Sequence, residues 1–174
     1  MSKKLVSTIV TAFFLAGCLS GVTRAPTMTA THVALSANNQ IASVSLSLTD
    51  EAKKKATENL KFNPEELLSH VRRALEANSL VNSSADRSRP NLEINVKDMR
   101  VRSNFSAVMW GFMAGADSIT ADIVLKNSEG RELDRYGVSV SYALGGLAGG
   151  QDSARMGWLY EKFAEETVKE LTRE

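Results

Sequence analysis

The chain contains one cysteine and two histidines, and these limit its chemistry first. A single thiol, Cys18, cannot close an intrachain disulfide or supply a multi-cysteine metal site. His32 and His70 have no Cys, Asp or Glu at ligand spacing, so no metal is expected. Gly137-Val138-Ser139-Val140-Ser141 holds a serine but lacks the second glycine of a nucleophile elbow. Glu165 and Glu166 are adjacent on a predicted helix, where neighbouring side chains point apart, and read as a solvated face. The run Leu144 to Gly150 (LGGLAGG) lies between a predicted strand and a predicted helix. That placement invites an anion site, because backbone N–H groups are unsatisfied at a helix N-terminus. Gln151-Asp152 follows where a phosphate loop needs Lys and Ser/Thr, and Asp152 would repel the anion. The glycines also miss the G-x-G-x-x-G spacing of a dinucleotide fold. The expectation is a protein that is not an enzyme and carries no cofactor.

The residues around Cys18 carry a more specific signal. Lys3 and Lys4 form a short positive start, and Leu5 to Ala16 is apolar. The apolar run is too short for a membrane-spanning helix, which needs roughly 20 residues, and has the shape of a secretory leader. It ends in Leu15-Ala16-Gly17-Cys18, which resembles the lipobox of bacterial lipoproteins. The resemblance implies that Leu15, Ala16 and Gly17 are read by the signal peptidase, that the chain is cut before Cys18, and that Cys18 is acylated. Two or three acyl chains on one residue give stable attachment where a single chain does not. Residue 19 is Leu rather than Asp, which by the same resemblance implies the outer membrane, periplasmic face, over the inner membrane.

The rest of the chain must position whatever this anchor carries. At 174 residues it has room for one domain with a real apolar core. A net charge of +1 gives no general pull toward nucleic acid. The organisation expected is a leader over 1–17, a lipidated tether over 18–40 and a single domain over 41–174. The tether reading rests on scattered Thr, Ser, Asn and Pro without an apolar period. Val44, Leu46 and Leu48 alternate with serines, which predicts a half-buried strand. Residues 50–60 read as a short exposed helix, with Lys53, Lys54 and Lys55 on a solvated face. Asn63 caps a stronger helix, with Pro64 at its first position and Leu67, Leu68, Val71, Ala74 and Leu75 on one face. In the next strand Leu92, Ile94 and Val96 share a face, then Met99 and Val101 take the opposite register, so a bulge is expected near Lys97-Asp98. Alternation over 118–126 and 136–142 about an Asn127–Gly130 turn predicts a hairpin. A last helix over 152–171 carries Met156, Leu159, Tyr160, Phe163, Ala164, Thr167, Val168 and Leu171 as its stripe. The fold class expected is α/β in layers: about four strands in a mixed sheet with two main helices packed on it.

One stretch fits none of these periods. Phe105 to Gly115 (FSAVMWGFMAG) has no charge and no clean alternation. It reads either as a buried connection or as a contact segment in which Phe105, Met109, Trp110, Phe112 and Met113 meet membrane or a partner, since Trp and Met are favoured in interfaces. Both it and the 143–150 run border strands of the hairpin, so the two could lie at one end of the sheet.

Taken with Gly111-Phe112-Met113-Ala114-Gly115, the turn Lys126-Asn127-Ser128-Glu129-Gly130, the glycine-rich connector and the terminal helix, the domain resembles a family of small bacterial lipoproteins of uncharacterised function. Its order is also similar to the α/β domain of curli-secretion and TolB-amino-terminal type envelope proteins. The resemblance brings no catalytic residues. The anchor, the tether, the missing chemistry and the apolar segment together lead to the expectation of a non-catalytic interaction or assembly module of the cell envelope, with the membrane bound through Cys18 and an envelope protein or a second copy as partner. A binding protein for a small apolar or lipid ligand is the alternative.

Overall fold

A computed structural model describes residues 19–24, 32–59, 61–82, 88–102, 115–143 and 152–173. Eight elements run in the order β1 (Leu19–Thr23), β2 (Ser43–Leu48), α1 (Asp50–Glu58), α2 (Pro64–Ala77), β3 (Asn91–Arg100), β4 (Asp117–Lys126), β5 (Glu132–Tyr142) and α3 (Asp152–Leu171). The five strands form one mixed sheet ordered β1-β5-β4-β3-β2. Only β2 and β3 are parallel, and α1 and α2 make the crossover between them, as a parallel pair requires.

Helix ends follow their caps. The Thr49 side chain accepts from Ala52 N at the start of α1. The Asn63 side chain accepts from Glu65 N and Glu66 N, with Pro64 as the first helical residue, and Asn78 closes α2. Helix α1 buries only Ala52, as its thin apolar face predicts. The β4–β5 hairpin turns through Gly130 at φ +79°, a conformation glycine adopts without a Cβ clash. The register of β3 on β4 shifts between Val96 and Asp98, and the bulge turns Met99 and Val101 inward.

The core lies between the sheet and helices α2 and α3. Leu67, Val71 and Leu75 of α2 and Leu159, Tyr160 and Phe163 of α3 cover Leu92, Ile94, Ile119, Ile123, Val138 and Val140. Every residue of the expected α3 stripe is buried. Phe62 and Tyr160 meet edge to face, and the Tyr160 hydroxyl accepts from Asn63 N, joining the α2 cap to α3. Burial raises the Tyr160 pKa to about 12, so the hydroxyl stays neutral.

The structure departs from the sequence reading at the amino end of the domain. Part of the expected tether is folded. Leu19 to Thr23 pair antiparallel with β5, Leu35 is in the core, and Leu35 N donates to Leu171 O. The sheet therefore has five strands rather than about four, and three helices are present with α1 counted. Strand β1 escaped the periodicity because its pairing to β5 is made by backbone groups and five residues are too few for a pattern.

Candidate functional site

Sheet register brings several chain ends to one place. Leu19 faces Ser141, Arg100 faces Ser118 and Asp117 faces Tyr142. The start of β1, the end of β3, the start of β4 and the end of β5 therefore share one edge of the molecule, called the loop end below. Residues 103–114 leave and re-enter the sheet there, and 144–151 leave from β5 toward α3.

A buried charge cluster pins this end. Asp117 opens β4 on the same inward register as Ile119, Ala121 and Ile123, and it is fully buried. Its Oδ1 accepts from Arg102 N at 2.7 Å and from Arg102 Nε at 3.3 Å, and its Oδ2 accepts from Arg102 NH2 at 3.0 Å. Arg155, on the first turns of α3, brings its Nε within 3.4 Å of the same Oδ2. Arg102 also donates to the carbonyl oxygens of Gly115, Tyr142 and Ala143, and Arg155 donates to Arg102 O. One carboxylate thus pairs with two guanidiniums, which donate to backbone carbonyls beside both bordering segments, and α3 is joined to them through its own Arg155. Charges this deep are stable only when paired and hydrogen-bonded. Gly115 sits beside them at φ +84°, where an added Cβ would lie 2.7 Å from Arg100 NH1.

The opposite end carries a second network. Arg24, just past β1, reaches Asp134 at 2.6 Å and Glu170 at 2.7 Å and lies over the Tyr136 ring at 5.1 Å. His32 Nδ1 is 2.8 Å from Asp134 Oδ2, and His32 Nε2 donates to Arg173 O. Burial opposes ionisation of Asp134, but hydrogen bonds from Arg24 and His32 outweigh it and hold its pKa below the ordinary carboxylate value. Both flanks of 25–31 are thereby fastened to the domain. Glu166 belongs to the same seam and not to a solvated face. It is 7% exposed and accepts from Ser20 Oγ, while its neighbour Glu165 is exposed. The reason is helical phase, which turns Glu166 toward β1.

Between α2 and α3 lies an open groove of about 720 Å³. Its apolar floor of Ala74, Ala164 and Val168 is rimmed by Arg73, Glu161 and Lys169, a poor lining for an apolar ligand. His70 lies in this groove against the Tyr160 ring, and burial lowers its pKa. Among the described residues no group of three or more His, Cys, Asp or Glu could hold a metal, and no helix is long and apolar enough to cross a membrane.

Several residues singled out from the sequence, Leu15, Ala16, Gly17, Cys18, Phe105, Met109, Trp110, Phe112 and Met113, lie outside the described residues. What the structure supplies is their attachment: Cys18 precedes Leu19, and 105–113 span Arg102 and Gly115, so both groups join the domain at the loop end. Sequence reasoning missed Arg102, Asp117 and Arg155. A signal existed, since Asp117 falls on the inward phase of β4 and Arg155 lies four residues before Leu159 on the buried stripe.

No curated protein matches the chain in sequence. Among solved structures it is similar to the PelC dodecamer from Paraburkholderia phytofirmans, 14% identical, covering 90% of this chain and 99% of that one with a TM-score of 0.49. A minor lipoprotein from Acinetobacter baumannii is 12% identical over 75% of this chain and 92% of that one, with a TM-score of 0.38. A DUF330 protein from Xanthomonas campestris is 15% identical over 86% and 87%, with a TM-score of 0.45. Residues 27–146, which end just past β5, match a domain of unknown function, DUF4410, and the chain belongs to that family.

Proposed function

We propose that the protein is a lipid-anchored envelope lipoprotein whose α/β domain works as a non-catalytic interaction or assembly module, facing the periplasm from the outer membrane. The observation that carries the reading is the pairing of Leu19 with Ser141. It puts the residue after Cys18 in the sheet, at the end where 103–114 and 144–151 join. The sequence from Phe105 to Ala116 has no charged side chain, and neither has 143–150. The described residues that flank Cys18 and both uncharged segments thus lie at one end of the sheet, which supports an anchor and a contact surface on the same side.

The test is acylation and maturation. In cells fed a labelled fatty acid, the parent chain takes up label and is cut between Gly17 and Cys18. Cys18→Ala abolishes both. Label retained by Cys18→Ala defeats the anchor reading. Crosslinking of the parent in intact cells, followed by mass spectrometry, identifies the partner, and its absence in a chain that is acylated defeats the assembly role alone.

A further inference from the structure

We propose that Trp158 is the domain's own contact with the phospholipid surface that carries its anchor. The bilayer is then held at two points, the acyl group on Cys18 and the indole of Trp158. This inference rests on the anchored-lipoprotein reading above.

Among the described residues the large apolar side chains are covered, and Trp158 stands out at 46% exposed. The indole has a firm base. The Tyr142 ring lies 5.4 Å away at 56°, and Tyr142 is buried at the last position of β5. Trp158 follows Arg155 by three residues, and Arg155 is fixed to Arg102 and Asp117 at the loop end. Eight residues further along α3, Glu166 meets Ser20. At 1.5 Å per residue that places Trp158 about 12 Å along the helix axis from the Ser20 contact, and its ring meets Tyr142 at the last position of β5. Helical side chains lean toward the helix N-terminus, so the indole covers the turn facing the loop end.

The surroundings change in the same direction. Ser153, Ala154 and Gly157, on the N-terminal side of Trp158, are small, uncharged and at least partly exposed. Glu161, Lys162 and Glu165 follow on the side away from the loop end. Asp152, the first residue of the helix, is the one acid on that side; an amphipathic ring between small residues and charged turns is the arrangement that places Trp at a membrane–water boundary. The occupant is the bilayer because the anchor residue adjoins Leu19, one strand from Tyr142.

The test uses the full chain, matured and extracted from bacterial membranes, with Trp110→Phe so that Trp158 is the remaining one of two tryptophans. The protein is reconstituted in phosphatidylcholine–phosphatidylglycerol vesicles whose acyl chains carry bromine near the headgroup or near the terminal methyl. Shallow bromine is expected to cut Trp158 emission by roughly half, and deep bromine far less, as an interfacial indole requires. The quenching is expected to be independent of protein concentration. An acylated chain with equal emission in brominated and plain vesicles overturns this inference and leaves the proposed function standing. Shielding of Trp158 that follows protein concentration instead of lipid overturns it in favour of a second copy. A mature mass without acyl groups overturns both readings. If Trp110→Phe fails to fold by circular dichroism, fluorotryptophan in the unaltered chain with a paramagnetic lipid reads the same contact.

Discussion

Removing the Asp117 carboxylate is the sharpest challenge to the account of the loop end. In Asp117→Ala two buried guanidiniums lose their common counter-ion. The Arg102 and Arg155 side chains are 2% and 1% exposed, so water cannot replace it without the end of the sheet opening. Breaking a buried ion pair by deleting one partner costs about 3–5 kcal/mol, because a charge is left uncompensated. A domain of this size has about 5–15 kcal/mol in all, so the variant folds but weakly. With a melting point that moves about 2–4 °C per kcal/mol, the expected loss is on the order of 10 °C. Urea unfolding followed by far-ultraviolet circular dichroism measures the free energy, and hydrogen exchange locates it. Protection is expected to fall first at Arg102, Ser118 and Tyr142, which border the cluster, while Ile94 and Ile123 in mid-sheet keep theirs. A control separates lost charge from lost volume. Replacing the whole cluster by apolar residues (Asp117→Leu, Arg102→Met, Arg155→Met) removes the uncompensated charge and is expected to recover a large part of the loss. High salt should change the parent little, since buried pairs are poorly screened. A loss below about 1 kcal/mol for Asp117→Ala, the range of ordinary surface substitutions, would refute the clamp.

The other expectations follow from single features. Phe163→Ala, at a fully buried position on α3, should cost about 3–5 kcal/mol in urea unfolding. Gly115→Ala should cost about 1–2 kcal/mol from left-handed strain, measured by the same transition, with the Arg100 side chain displaced in addition. Asn63→Ala should cost about 1 kcal/mol, because two N–H groups of α2 lose their acceptor. For Asp134 the folded pKa lies below the ordinary carboxylate value, so its stabilising effect is full above that ordinary value and is lost as pH falls through the folded pKa. Asp134→Asn should therefore lower stability at pH 7 and shrink the acid-induced loss below about pH 4, read by thermal melts across pH.

What the sequence could tell was decided by how each element is held. Elements that bury a repeating apolar face were readable: α2 from Leu67, Val71 and Leu75, α3 from its stripe, β4 and β5 from their alternation. Even the bulge was readable, because inward Val96 and inward Met99 cannot share a straight strand. Strand β1 was not, since its place comes from backbone bonds to β5 and from Arg24, whose partners Asp134 and Glu170 lie 110 and 146 residues away. Pairings at that separation leave no local period. The same holds for the loop-end clamp, where Arg102, Asp117 and Arg155 come from three elements and meet only once the sheet and α3 are assembled. Yet each stood in an inward phase where an unpaired charge is too costly to keep. A charged residue on the buried face of an otherwise apolar pattern is therefore itself a signal that its partner lies elsewhere in the chain. Here that partner set joins the residues flanking 103–114 and 144–151 to each other and to α3. Strand β1 belongs to the folded domain from Leu19 onward.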